Sequence, residues 1–452
     1  MNVLGTVLLT ISAVAIVYVL FVGYDGLIKL VTSLIRIGGY SETLQNSPRK
    51  RQLNADIAMP VSIIMPDCDK DPNVVSSVKD IFTQDYPEFE LILICNSEAS
   101  NSLDKLIKAF SLVKIHQPIK KSLPMKDVRG VYRSPLHMNL TVLDKEGCER
   151  YDAMNAGVNV SRYPIFVILG SGILLEKNAL TQIAMSFARS FSVVVVGSLP
   201  RIQERGKPLG FLGSMQEAEY LRMFPAGLTV VDKKRLSVMP GTFGAYRKST
   251  IIKERGFIQG GSETEMVVRL TRDAIKKREK YEFELLPYPV IINDPHRTLG
   301  ELVRQRIKWE VETILSLWFN KKMLFNPKYG RTGMLDTPYY WFFSIIGPFI
   351  ELLGCIVVPI AYIFGFIGLD LLMAFLAVEI ILNVVVSLSA VVSQEILDGD
   401  VSNSERTLRR TVCAILNNFG YRQMMLVISV IGLFSTGAHK EDCGCKYIHP
   451  EG

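Results

Sequence analysis

Asp67, Asp69 and Asp71 stand at alternate positions just after the apolar run Val61-Ser62-Ile63-Ile64-Met65-Pro66. Carboxylates gathered in this way can hold Mg²⁺, which asks for oxygen ligands in octahedral geometry. The same residues suit a solvated loop entering a helix at Asp71-Pro72, where acidic side chains complement the dipole. The local sequence favours that second reading. Cys443-Gly444-Cys445 with His449 brings metal-binding residue types into a polar tail, but structural zinc sites use four ligands, so redox chemistry or lipid modification stands beside metal binding there. His296 follows Asn293-Asp294-Pro295 and reads as a surface or capping histidine. Glu351 and Glu379 lie inside apolar stretches. A carboxylate there is costly, and is either functional or held in a helix–helix hydrogen bond.

The elements that position these groups follow from hydrophobic patterning. Residues 61–66 form a β-branched run closed by proline, which reads as a buried strand. Residues 73–84 carry helical periodicity and stop before Tyr86-Pro87, and residues 89–95 form a second apolar strand. Strand–helix–strand order predicts parallel pairing and an α/β, doubly wound sheet. Residues 165–169 and 192–196 supply further strands. Ligands of an open parallel sheet bind beyond the carboxyl ends of its strands, so a site is expected at residues 67–71, 95–97 and 170–172.

Residues 3–22 are apolar and long enough to span a bilayer. No basic stretch precedes them and no small-residue cleavage site follows, so the segment reads as an anchor. Lys29, Arg36, Arg49, Lys50 and Arg51 come next, which puts the central domain in the cytoplasm by the positive-inside rule. Residues 339–366 and 369–392 read as a transmembrane hairpin, followed by Arg406, Arg409 and Arg410. Residues 424–438 fall short of the roughly 20 that a span needs and read as interfacial. Residues 299–319 place apolar side chains at helical spacing among Arg304, Arg306, Lys308, Glu310 and Glu312, with Trp309 and Trp318. Such a helix suits the cytoplasmic membrane surface. The expected layout is a membrane helix and its flank at 1–35, a cytoplasmic domain at 55–298 and interfacial helices at 299–337. A membrane hairpin at 338–394 and a cytoplasmic loop, interfacial helix and tail at 395–452 complete it.

Composition agrees with this multi-pass membrane protein: 48% of residues are hydrophobic and the formal net charge is +7. The basic residues are scattered and form no nucleic-acid-binding signature, so no nucleic-acid partner is expected. The seven cysteines are odd in number and dispersed. They do not read as a disulfide framework, which suggests a reducing compartment.

Several segments together resemble family 2 glycosyltransferases of the GT-A type. The opening strand at 60–66, Gln84-Asp85-Tyr86-Pro87 and the strand at 89–94 look like the family's start. Asp152-Ala153-Met154-Asn155-Ala156-Gly157 resembles its D-A-L-N-A-G segment, and Gly241-Thr242-Phe243-Gly244-Ala245-Tyr246-Arg247 its G-A-F-G-x-x-R segment. Gln305-Arg306-Ile307-Lys308-Trp309 looks like the Q-x-x-R-W motif of the membrane-embedded members that build cellulose, chitin, hyaluronan or poly-N-acetylglucosamine. Phe325-Asn326-Pro327-Lys328-Tyr329-Gly330 and Asn418-Phe419-Gly420-Tyr421-Arg422-Gln423 are similar to that subgroup too. The likeness spans nearly the whole chain, in order.

The resemblance implies transfer of a sugar from a nucleotide-sugar donor, a UDP-sugar first, to a glycan hydroxyl at a membrane. Pro66, Asn96 and Asp152 fall on nucleotide-binding positions. Glu263 falls on the catalytic base, and Gln305, Lys308 and Trp309 on the acceptor and diphosphate side. The chain departs from the pattern at several of them. Cys95 or Asn96 replaces the first nucleotide-binding aspartate, and Cys68 takes an aromatic position. The D-x-D pair that holds Mg²⁺ or Mn²⁺ aligns with Gly170-Ser171-Gly172, so no metal ligand is expected there. Ser262-Glu263 replaces a Glu-Asp pair, and Lys308 replaces an arginine whose fork it cannot reproduce. Lys145 and Arg150, just ahead of Asp152, suit either phosphate contacts or a solvated loop. Two functions follow: a transferase with an altered site, or a catalytically inactive relative acting as a binding or scaffold subunit of a glycan-synthesis or signalling assembly.

Overall fold

The structure is a computed structural model that describes residues 3–46, 59–98, 100–146, 149–203, 208–230, 243–286, 290–398 and 404–442. The Cys443/Cys445/His449 group, Arg49-Lys50-Arg51 and Gly241-Thr242 lie outside the described residues. The chain divides into two compact units. One comprises Met1–Arg49, Gly206–Asp232 and Pro295–His439; the other comprises Lys50–Arg205, Lys233–Asp294 and Lys440–Gly452.

The second unit is built on a sheet. Its strands are β1 (Val61–Met65), β2 (Phe89–Cys95), β3 (Val113–Ile115), β4 (Val128–Arg133), β5 (Leu140–Lys145), β6 (Ile165–Leu169), β7 (Ile173–Leu175), β8 (Val193–Gly197), β9 (Arg201–Ile202), β10 (Phe243–Arg247), β11 (Glu282–Leu285) and β12 (Ile291–Asn293). Nine of them pair in the order β11-β8-β10-β6-β1-β2-β5-β4-β3, and β7-β12-β9 form a small second sheet. The centre, β6-β1-β2-β5, is parallel as expected. Successive side chains of a strand point to opposite faces, and the apolar runs of β1, β2 and β6 therefore feed two cores. Val61, Ile63, Leu91, Leu93, Val167 and Leu169 join helices Val74–Ile81, Ser102–Phe110 and Ala179–Arg189 on one face. Ile64, Ile92, Ile94, Phe166 and Ile168 meet helices Arg150–Val160 and Glu263–Lys277 on the other. Helices on both faces explain why these strands read as unbroken hydrophobic runs.

Four features differ from expectation. Phe243–Arg247 is a strand, antiparallel to both β6 and β8. Asp144 and Lys145 lie in β5, not on a solvated loop, and Lys145 is fully buried. Asp71 is buried too, accepting hydrogen bonds from the Ser77 hydroxyl at 2.6 Å and the Asn73 amide at 2.9 Å, so the acidic stretch is no solvated loop. Cys68 and Cys95, which did not read as a disulfide pair, form a disulfide with Cα atoms 5.5 Å apart. The parallel register Met65↔Leu93 brings the two strand ends side by side, a proximity that spacing along the chain does not reveal.

The first unit is helical. Helix Val3–Asn46 runs well beyond its apolar start. Its Ala15, Tyr18 and Val19 pack against Val358 and Ala361 of helix Gly347–Ile363. Among the described residues four helical stretches are long and apolar enough to cross a membrane: Gly5–Ile35, Thr332–Ile363, Leu369–Ile396 and Ser404–Thr436. The fourth was expected to be only interfacial. Its length is counted through a kink at Phe419 and Gly420, whose backbone is not helical. The apolar run at 424–438 is continued by polar residues to form helix Arg422–Asp442.

Candidate functional site

The carboxyl ends of β1, β2 and β5 carry a network of charged groups. Pro66, buried, ends β1 and turns the chain into Asp67. The Arg150 guanidinium, at the start of helix Arg150–Val160, pairs with Asp67 and also with Glu263. Glu263 is buried in the first turn of helix Glu263–Lys277, where Ser262 is the N-cap and accepts from the Glu265 amide at 3.4 Å. Burial first, then the Glu263 carboxylate, pushes the Tyr246 phenol well above its usual value.

Asp69 binds the end of β2, accepting from the Asn96 amide and the Ser100 hydroxyl, both at 2.7 Å. Asn96 accepts from Arg129 at 2.7 Å through its side-chain oxygen. The same guanidinium donates to Asp144 at 3.1 Å, and Asp144 accepts from the Ser97 amide and hydroxyl at 3.1 and 3.0 Å. Pro66 and Asn96 thus lie at strand ends, and Arg150 and Glu263, each in the first turn of a helix, join them through Asp67. Arg129 went unnoticed in the sequence, and Asp144 was noted only as part of a charged stretch; a charge inside a strand was the available signal.

Asp152 is 1% exposed. It pairs with Lys145 and accepts the Lys126 amide at 2.7 Å, while Lys145 donates to the Lys126 carbonyl at 2.9 Å. The rest of its segment serves the fold. Asn155 clamps Phe257, donating to its carbonyl at 2.9 Å and accepting its amide at 2.8 Å. Gly157 lets the helix lie against β1, since a Cβ there would run into Ile64 Cγ2. The Gly170-Ser171-Gly172 turn closes β6, with Gly172 at φ +75°. Among the described residues, Cys68, Asp69 and Cys95 form the group of metal-binding types drawn together, and its two sulfurs are bonded to each other.

In the helical unit, Gln305, Lys308 and Trp309 share helix Leu299–Phe319 but not one environment. Lys308 is exposed and 3.7 Å from Glu312. Gln305 hydrogen-bonds the His296 imidazole, whose pKa burial holds below the usual 6.5. The His296 backbone is clasped by Gln216, at 2.9 and 3.0 Å, and the residue is half-buried. The buried cation is Arg306, which sequence reasoning passed over. It lies over the Trp309 ring at 4.3 Å and the Tyr220 ring at 5.3 Å. It also donates to Glu219 at 2.8 Å, and Glu219 accepts from the Tyr421 hydroxyl at 2.7 Å. Its position four residues after buried Leu302 was the missed signal. Glu351 and Glu379 are both held by Arg422.

The family model for Glycosyl transferase family 21 matches residues 10–125; the motifs had suggested family 2. No curated protein matches at a significant level. Among solved structures, the mannosyltransferase PcManGT from Pyrobaculum calidifontis, in complex with GDP-Man and Mn²⁺, aligns over 94% of this chain and 99% of its own, at 13% identity and a TM-score of 0.52. TarS residues 1–349 from S. aureus, with UDP-GlcNAc, aligns over 81% of this chain and 92% of its own at 9% identity. Its TM-score of 0.39 is too low to bear on the fold. The chain has a GT-A-like glycosyltransferase fold joined to long apolar helices.

Proposed function

We propose that this protein is a membrane-bound glycosyltransferase. On this reading it takes a nucleotide sugar, a UDP-sugar by its motifs, at the ends of β1, β2 and β5, and transfers the sugar to a hydroxyl of a glycan acceptor. The basic flank of the first membrane helix favours a cytoplasmic site. The observation that carries the reading is Arg150, set between Asp67 and buried Glu263. A guanidinium matches the oxygens of a diphosphate in charge and geometry. Once it turns to the diphosphate, the Glu263 carboxylate is released to accept the acceptor's proton as the hydroxyl oxygen attacks the anomeric carbon and the nucleoside diphosphate leaves.

A divalent ion such as the Mn²⁺ of the mannosyltransferase does not fit the residues present. The Gly170-Ser171-Gly172 turn offers no carboxylate. Asp67, Asp69, Asp71 and Asp144 are committed to Arg150, Asn96, Ser77 and Ser97. Neutralisation of the leaving group therefore falls to arginine.

Calorimetric titration of the purified chain with UDP and GDP, each with and without Mn²⁺, tests this. Metal-independent binding that weakens at least tenfold in Arg150→Ala is expected. No binding of either nucleotide at millimolar concentration would sink the transferase reading for those donors. A second reading, a non-catalytic binding subunit, is favoured by Asp152, whose carboxylate is sealed by Lys145 and the Lys126 amide. Nucleotide binding without release of UDP from any UDP-sugar would support it.

A further inference from the structure

Residues 320–331 form a loop between helix Leu299–Phe319 and the apolar helix Thr332–Ile363, and nothing in the proposed transfer uses it. Between Glu312 and Asp336 the chain carries Lys321, Lys322, Lys328 and Arg331 and no acidic residue. Lys321, Lys322, Lys328 and Arg331 are all exposed. At the centre of this basic arc is Phe325, 67% exposed, with its backbone in the left-handed region at φ +52°. A bulky residue adopts that conformation only where its surroundings impose it.

The surroundings do impose it. Met323 is fully buried and pins the loop from inside. The Asn326 side chain accepts the Lys328 amide at 3.1 Å and donates to the Lys322 carbonyl at 3.0 Å. Gly333 passes so close to the loop that a Cβ there would meet the Asn326 and Met323 carbonyls. The result is a rigid tip that holds an aromatic ring outward. Trp318, at the end of the preceding helix, is half exposed, with the Lys321 ammonium 4.5 Å above its ring.

We propose that this loop is a docking surface for the anionic headgroups of the membrane that the adjoining helix enters. Basic residues at the end of a membrane helix are drawn to anionic lipid, and aromatic rings settle at the headgroup boundary. Continuity with Thr332–Ile363 places the arc at that boundary. Phe325 inserts among the acyl-chain ends while the cations hold the phosphates. The contact fixes how deeply the helical unit sits and is independent of nucleotide chemistry, so it stands or falls apart from the transferase reading.

The test uses the full chain in zwitterionic detergent micelles, titrated with phosphatidylglycerol or phosphatidylcholine at several salt concentrations. Bound lipid is counted by native mass spectrometry. Phosphatidylglycerol should bind at least tenfold more tightly than phosphatidylcholine. Replacing Lys321, Lys322 and Lys328 together by glutamine should weaken it on the order of 100-fold, about fivefold per charge, and flatten its salt dependence. Phe325→Ser should weaken it severalfold and leave the salt slope unchanged. Should the triple variant fail to fold, Lys321→Gln and Lys328→Gln taken singly carry the test, each losing about fivefold. Equal affinity for the two lipids overturns the proposal. So does a lipid preference that survives the charge substitutions, or soluble polyphosphate binding as tightly as phosphatidylglycerol.

Discussion

The guanidinium of Arg150 joins Asp67, in the loop after β1, to Glu263, in the first turn of helix Glu263–Lys277. Glu263 is buried and depends on that cation. Removing one partner of a buried pair strands the other charge. Arg150→Ala is therefore expected to lower stability by on the order of 3 kcal/mol, read by thermal or denaturant unfolding. In the Arg150→Ala background, Glu263→Gln should cost less than it does alone, because no buried charge is then left unpaired.

At Gly157 helix Arg150–Val160 lies close against Ile64 of β1. Gly157→Ala drives a methyl into Ile64 Cγ2 and should cost about 1–3 kcal/mol through overpacking. Ile64→Ala should recover part of that loss, although alone it empties core volume. Equilibrium unfolding of the two single variants and the double variant measures the coupling.

Arg306 and Lys308 are neighbours with opposite fates. Arg306→Ala removes the ion pair to Glu219 and the stacking on Trp309 and Tyr220, and should destabilise the helical unit by about 3 kcal/mol. Lys308→Ala removes an exposed cation 3.7 Å from Glu312 and should change stability by less than about 0.5 kcal/mol. Thermal unfolding in detergent compares them directly. If Lys308 alone contacts a phosphate, its variant should lose ligand affinity while remaining stable.

His296 gives stability a pH dependence of known sign. Burial is the main cause that lowers its pKa, nearby Arg306 adds to the effect, and the hydrogen bond with Gln305 opposes it. The unfolded chain then binds the proton more readily than the folded chain. The stability contributed by neutral His296 is intact above about pH 6.5 and is lost as the pH falls below it. The melting temperature should drop between pH 7.5 and 5.5 by more in the wild type than in His296→Gln.

The strands β1, β2, β6 and β8, the helix over 299–319 and the apolar segments were legible in the sequence because long hydrophobic runs and helical periodicity are local signals. The antiparallel strand at Phe243–Arg247 and the short strands β3 to β5 were not. Their residues are mixed, and pairing with neighbouring strands, β10 with β6 and β5 with β2, stabilises them more than their own pattern does. Lys145 shows the difficulty most plainly. A lysine between Asp144 and Glu146 looks solvated until β5 carries it beneath helix Arg150–Val160 to meet Asp152.

By itself, then, the sequence determined the order of apolar segments, the α/β core and the motif residues Asp152, Glu263 and Trp309 as positions of interest. Only the tertiary structure decided which charges meet. It joined Cys68 to Cys95, shared Arg150 between Asp67 and Glu263, and buried Arg306 while leaving Lys308 exposed. The physical reason is range. Hydrophobic periodicity is written within a few residues, whereas an ion pair or a disulfide forms only after strands distant along the chain have chosen their register and order.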